Sequence, residues 1–174
     1  MSDITDQLIA RNANYARTHE PRAPLPTLNT IVVSCVDARV DPAHLLGLTS
    51  GEAVVLRNAG GRVTKAVEQD IGLLCAMASK AMGRPADPEI VLIHHTQCGV
   101  ELLCKEEVVE GLSRATSIAP EVLKDRAISD HEASLRRDVE RLSASEHVPS
   151  GPKVSAMRYD QTSGHIELLF SEVL

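Results

Sequence analysis

The stretch "IVLIHHTQCG" (90–99) ends an apolar run on His95 and, three residues later, Cys98. As an isolated pair they read equally well as a core histidine and a core thiol. A third soft ligand stands elsewhere: in "SCVDARVD" (34–41), Cys35 follows another β-branched run. Two cysteines and one histidine form a donor set that suits Zn2+. A structural zinc calls for a fourth ligand, usually in two close pairs. Here there is one close pair and a distant single cysteine, the pattern of a catalytic ion with an open position. Two thiolates already offset the ion's charge, so its water is acidified less than over three histidines. Such a centre needs an acceptor to orient hydroxide. Asp37 is placed for that task, and Arg39, on the same turn, can grip its carboxylate in a bidentate pair. The "NAGG" segment (58–61) adds backbone N–H groups that approach closely for lack of a Cβ. This equipment suits attack of a zinc-held hydroxide on a small electrophilic carbon.

Strands must deliver these residues to one place. "TIVVSC" (30–35), "AVVLRN" (53–58) and "EIVLIHH" (89–95) are short β-branched runs of the kind buried in a parallel sheet. Helices are expected between them, at 42–48 with Pro42 in its first turn and at 65–83 with Gly83 as C-cap. A further helix is expected over 2–19, with Ser2 or Asp3 as N-cap and the prolines of "EPRAPLP" beyond it. Residues from Gly99 to about Pro149 read as helices broken at Gly111 and Pro120. The clearest of them, "DHEASLRRDVERL" (130–142), is charge-rich and predicts a solvated face or an oligomer rim. "KVSAMRYDQTSGHIELLF" predicts a strand pair around a turn at "QTSG". Alternating strands and helices imply an α/β fold with a mainly parallel sheet flanked by helices. In such sheets, sites form past the carboxyl ends of the strands, which is where Cys35, the "NAGG" loop and His95 fall.

With 174 residues, one domain over 1–174 is expected, with residues 1–27 as an N-terminal helical arm. The net charge of −6 comes without any run of Lys or Arg, which argues against a nucleic-acid partner. Aromatics make up only 2% of the chain, too few for a base-stacking platform. No apolar segment approaches transmembrane length, and the polar N-terminus resembles neither a signal nor a transit peptide, so a cytoplasmic location is expected. There the four cysteines should be thiols or metal ligands.

"CVDAR", "RNAGG" and "HHTQCG", in this order and spacing, resemble the β-class carbonic anhydrases, over about residues 28–104. The resemblance implies Cys35, His95 and Cys98 as ligands of one Zn2+ per chain and Asp37 with Arg39 as the catalytic dyad. It implies substrate contact around Asn58, Gly60, Gly61 and Gly99. It also implies a homodimer or a dimer-based oligomer such as a homotetramer, with the N-terminal helix packed on the partner. Unlike plant-type members, this chain has no glutamine in "APLPTLN" and almost no aromatic residues for its pocket. It is therefore more similar to a small bacterial and fungal clade that includes enzymes resembling carbonyl sulfide hydrolases. Two substrates stand open: carbon dioxide (CO2), hydrated to bicarbonate, or carbonyl sulfide (COS), hydrolysed to carbon dioxide and hydrogen sulfide. A third reading is a zinc-stabilised regulatory protein without turnover, its fourth metal position closed by Asp37.

The remaining candidates read more plainly. His94 should face away from His95 and pack against a helix. Cys75 belongs to the core and Cys104 is a remote fourth-ligand candidate. Arg57 is either part of a tight turn or a substrate contact. His44, His131, His147 and His165 carry no motif.

Overall fold

The computed structural model describes residues 3–174. Its elements run α1 (Ile4–Ala16), β1 (Thr30–Cys35), α2 (Pro42–Leu46), β2 (Val54–Asn58), α3 (Lys65–Met82) and β3 (Glu89–His95). A 3-10 helix (Gly99–Cys104) follows, then α4 (Glu106–Thr116), α5 (Pro120–Asp125), α6 (His131–Ala144), β4 (Lys153–Tyr159) and β5 (Ile166–Val173). One sheet has the strand order β2-β1-β3-β4-β5. The first four strands are mutually parallel, and β5 returns antiparallel to β4, as the chain's closing strand pair predicts.

Alternation along the strands builds two layers of core. Ile31, Val33, Ile90, Leu92, Val154 and Ala156 face one side, where they meet Val67, Ile71 and Cys75 of α3 and Leu135, Val139 and Leu142 of α6. Val32, Val91, Ile93 and Tyr159 gather with Val40 on the other. Cys75 is core, as expected.

The helix boundaries have local causes. Asp41 caps α2 by accepting from the Ala43 N–H, with Pro42 in the first turn. Thr64 does the same for α3 through Val67 N–H, and Gly83 ends α3 at φ 66°, a conformation that glycine adopts without strain. Asp130 caps α6 through Ala133 N–H. Asp3 stands at the N-cap of α1, while Ser2 lies outside the described residues.

Two expectations need correction. The break at Gly111 does not occur: α4 runs through it and ends at Ser117, which takes φ 60°. A helix-interior glycine costs about 1 kcal/mol, too little to stop a helix that seats Val109 in the core. Nor is α6 only a solvated face. Ser134, Leu135, Asp138, Val139 and Leu142 form a buried side, so apart from Asp138 its acids and arginines lie outside that side.

Candidate metal centre

Because β1 and β3 pair in parallel, Val33 beside Leu92, their carboxyl ends bring Cys35 and His95 to one edge of the sheet. A turn in which Gln97 takes φ 58° then swings Cys98 back to head the 3-10 helix. The ligand atoms of Cys35, His95 and Cys98 all lie within 4.8 Å of one another, and all three residues are buried. The two sulfurs are 3.9 Å apart. In a tetrahedral site with zinc–sulfur bonds of 2.3 Å, two sulfurs stand about 3.8 Å apart. His95 Nδ1 donates to the Thr96 carbonyl at 3.0 Å, which leaves Nε2 as the free lone pair. That buried nitrogen has no hydrogen-bond partner of its own. Two close thiols and an orphaned imidazole nitrogen fit a metal ion.

Electrostatics at the cysteines favours the same reading. A hydrogen bond from Cys98, against the cost of burial, and backbone N–H groups of Asp37 and Gly60 push the Cys35 thiol down. Beside that thiolate, and in a buried position, the Cys98 thiol is pushed up. Burial pulls His95 down, but its contact with the Cys35 thiolate outweighs this and leaves it raised. The proximity of the two sulfurs thus favours the thiolate at Cys35 and opposes it at Cys98.

Asp37 is captured by Arg39. Its Oδ1 accepts from the Arg39 backbone N–H at 2.9 Å and from Nε at 3.0 Å, while Oδ2 accepts from Nη2 at 2.7 Å. This guanidinium holds the carboxyl well below the usual carboxylate range. Arg39 Nη2 also donates to Gln97 O at 3.1 Å, tying the first turn to the Cys98 turn. Among the described residues, the ligand group is the three expected side chains and does not include Asp37. Cys104 is exposed and outside it. Arg57 is a scaffold: it donates to the carbonyls of Cys35, Asp37 and Val40 at 2.9, 2.8 and 3.0 Å.

The glycine loop lies directly beneath Cys35. Asn58 closes it, donating to Arg62 O at 2.7 Å and accepting from Arg62 N at 2.9 Å, so both ends of its amide are committed. Gly61 has φ 65°, and a Cβ there would stand 2.8 Å from the backbone of Cys35 and Ser34. Gly99 has open space around it. Gly61→Ala is thus expected to destabilise the protein by about 2–5 kcal/mol, the sum of a left-handed alanine and a backbone clash. Gly99→Ala should stay within about 0.5 kcal/mol. Urea unfolding of the two variants checks the contrast.

Three residues at the site lay beyond the motifs. Glu101 accepts from Cys98 N–H at 3.0 Å. Arg62 and Asp138, both fully buried, form a two-bonded ion pair of 2.7 and 3.0 Å. His94, packed on α6 as expected, places Nε2 3.5 Å from Asp138 Oδ2. Burial outweighs that carboxylate and holds His94 below its ordinary value of 6.5. The folded state therefore keeps His94 neutral where the unfolded chain takes up a proton, and stability falls as pH drops below about 6.5. Burial also lowers His131, whereas His95 shifts the opposite way, so the comparison between variants isolates His94. His94→Gln should flatten the loss of urea-unfolding midpoint between pH 7 and 5.

A mainly parallel sheet that ends in two thiols and one imidazole able to hold a metal, beside an Asp–Arg pair, points to a class of metalloenzyme. A family model described as carbonic anhydrase matches residues 30–164, and the chain belongs to the β-carbonic anhydrase family. It is 29% identical to β-carbonic anhydrase 1 of Mycobacterium tuberculosis, over 94% of this chain and 96% of that protein. A carbon disulfide hydrolase of Acidithiobacillus thiooxidans is 30% identical over 64% of this chain, but only 48% of its own length. Among solved structures, a carbonic anhydrase of Streptococcus mutans superposes with a TM-score of 0.77 at 29% identity, covering 98% of this chain and 99% of that one.

Proposed function

We propose that this protein hydrates carbon dioxide to bicarbonate and a proton, with one zinc ion held by Cys35, His95 and Cys98. The observation that carries the reading is the capture of Asp37 by Arg39. With the carboxylate turned away, three side chains converge on the metal position, and an ion held by them would keep one place for water. The non-catalytic reading needed that aspartate as a ligand and loses its support.

A zinc ion at these three ligands supplies a Lewis acid that makes water reactive towards carbon near neutral pH. The chain's residues do the rest. Asp37, ionised and aimed by Arg39, accepts a hydrogen bond from the reacting water and turns its lone pair towards carbon. Arg57 holds the backbone of the Cys35–Val40 turn that carries the dyad. The "NAGG" loop contributes through its backbone, since Gly61 is pressed against the backbone of Cys35 and Asn58 is occupied in closing the loop. Val100, Leu103, Val109, Leu123 and Ile128 pack around the two cysteines, and this apolar surround strengthens the pull between thiolates and a cation.

The relative matched end to end is a carbonic anhydrase, while the sulfur-compound hydrolase matches over about half its length, which favours carbon dioxide over carbonyl sulfide. Stopped-flow hydration with a pH indicator, on zinc-replete protein, tests the reading. A rate far above buffer is expected, and a rate equal to buffer overturns it.

A homo-oligomer built on dimers fits the surface. No residue of α1 is buried, and Ile4, Leu8, Ile9 and Tyr15 are exposed along it. A 13-residue helix is marginal alone in water, so a partner surface suits it. An apolar groove of about 430 Å³ beside α3, lined by Leu25, Ile31, Val54, Leu74, Met77 and Met82, offers a seat of the right character. Ile9→Glu should shift the mass read by light scattering towards the monomer. No helix among the described residues is long and apolar enough to cross a membrane, and a site built on reduced thiols suits the cytoplasm.

A further inference from the structure

We infer that the Arg62–Asp138 pair is a positioning device for the metal centre: it holds the Asn58–Arg62 loop against the sheet and so keeps Gly61 seated on the backbone of Cys35. This inference rests on the metal-centre reading above. Neither side chain touches a ligand atom, so both act through the loop.

Four observations converge on this role. The pair is wholly buried, with Arg62 Nε and Nη2 on the two oxygens of Asp138. A buried ion pair is seldom the most stable filling for a core, so its presence invites a role in fixing geometry. Arg62 also donates through Nη1 to the carbonyls of Asp125 and Ala127, at 3.3 and 3.0 Å. Its head therefore locks the loop to α6 and to the segment between α5 and α6.

Arg62's backbone is the other end of the clamp. Asn58 grips both its N–H and its carbonyl, closing a ring of five residues that contains Gly60 and Gly61. Within that ring Gly60 takes φ 89° and Gly61 φ 65°, and the Gly61 N–H donates to the Asn58 carbonyl at 3.1 Å. Gly61 lies too close to the Cys35 backbone for any Cβ, so the ring cannot tilt without moving the ligand strand.

Asp138 reaches the second ligand strand as well. Its Oδ2 is 3.5 Å from Nε2 of His94, the residue before His95. One carboxylate on α6 therefore braces the loop under Cys35 and the strand that presents His95.

The test compares Asp138→Asn, which keeps shape and drops the charge, with wild type and with Leu142→Ala. The latter opens a cavity on the same buried side of α6. Zinc affinity is read by chelator competition, and the Gly61 amide by hydrogen exchange on metal-free protein. Asp138→Asn should lose about tenfold to a hundredfold in zinc affinity, the usual effect of removing a support behind a metal ligand. Its Gly61 amide should exchange at least about tenfold faster. Leu142→Ala should bind zinc as wild type does, and Asp138→Glu should recover part of the affinity. If Asp138→Asn does not fold, Arg62→Lys is read in the same way. Affinity and exchange both within about threefold of wild type, or an equal loss in Leu142→Ala, overturn the clamp. A wild-type protein that takes up no zinc overturns the metal reading instead, and Gly61 exchange still judges the clamp.

Discussion

Cys98→Ala is expected to leave less than about a tenth of the wild-type zinc per chain and to bring carbon dioxide hydration down to the buffer rate. Cys98 and Cys35 place their sulfurs 3.9 Å apart, and the ligand atom of His95 lies within 4.8 Å of both. Removing one sulfur leaves two donors for the ion. A structural zinc site with four ligands binds with about 10–16 kcal/mol, so one ligand is worth about 3 kcal/mol, or a hundredfold in affinity. The fold should survive. Alanine is smaller than cysteine, and the turn at Cys98 is held by its backbone N–H on Glu101, which the substitution leaves in place. Metal analysis by mass spectrometry, with circular dichroism as the check on folding, reads the result. A variant that keeps full zinc and full rate would remove Cys98 from the site.

Asp37→Ala should do the opposite with metal and the same with rate. Its carboxylate is engaged by Arg39 and lies outside the ligand group, so zinc per chain should match wild type. The rate should fall by about a hundredfold or more, the usual loss when a positioned proton acceptor is removed. Asp37→Asn refines this result. The amide keeps the shape but turns one oxygen into a donor and frees Arg39 from its charge partner, so the rate should remain low. Because Arg39 holds Asp37 ionised far into acid, no loss of activity near neutral pH should trace to this carboxylate. A rate within about threefold of wild type in Asp37→Ala would contradict the assignment.

Much of this architecture was legible in the sequence because its signals are local. Three β-branched runs mark β1, β2 and β3, and ligand-type residues stand at the carboxyl ends of β1 and β3. Pro42 and Gly83 announce helix ends by chemistry that acts within four residues. What stayed hidden is non-local. Arg62 and Asp138 are 76 residues apart, and no spacing rule connects them. One clue was nevertheless present: Asp138 falls on the Leu135, Val139, Leu142 side of α6, a lone acid on an apolar stripe. In a charge-rich helix that clue is masked by its surface neighbours. The glycines teach the same lesson. Gly61 and Gly99 look alike in sequence, yet only Gly61 is pressed against another strand's backbone. Gly111 looked like a helix breaker and is not one, because tertiary packing of Val109 outweighs a local penalty.

The state of Asp37 is the feature with the largest functional weight that no sequence could supply. The same five residues, Cys35 to Arg39, could fold with the carboxylate on the metal or on the guanidinium. Three hydrogen bonds from Arg39, and the Arg39 bond to Gln97, fix the second arrangement here. That arrangement keeps the carboxylate out of the Cys35, His95 and Cys98 group.

X-ray absorption at the zinc edge, on protein as purified, addresses the metal centre most directly. Two sulfurs at about 2.3 Å, one nitrogen at about 2.0–2.1 Å and one oxygen at a similar distance are expected, with one zinc per chain. In Asp37→Ala the spectrum should be unchanged, because the oxygen belongs to water. A first shell without two sulfurs, or an oxygen that disappears with Asp37, would contradict a three-ligand centre open to water.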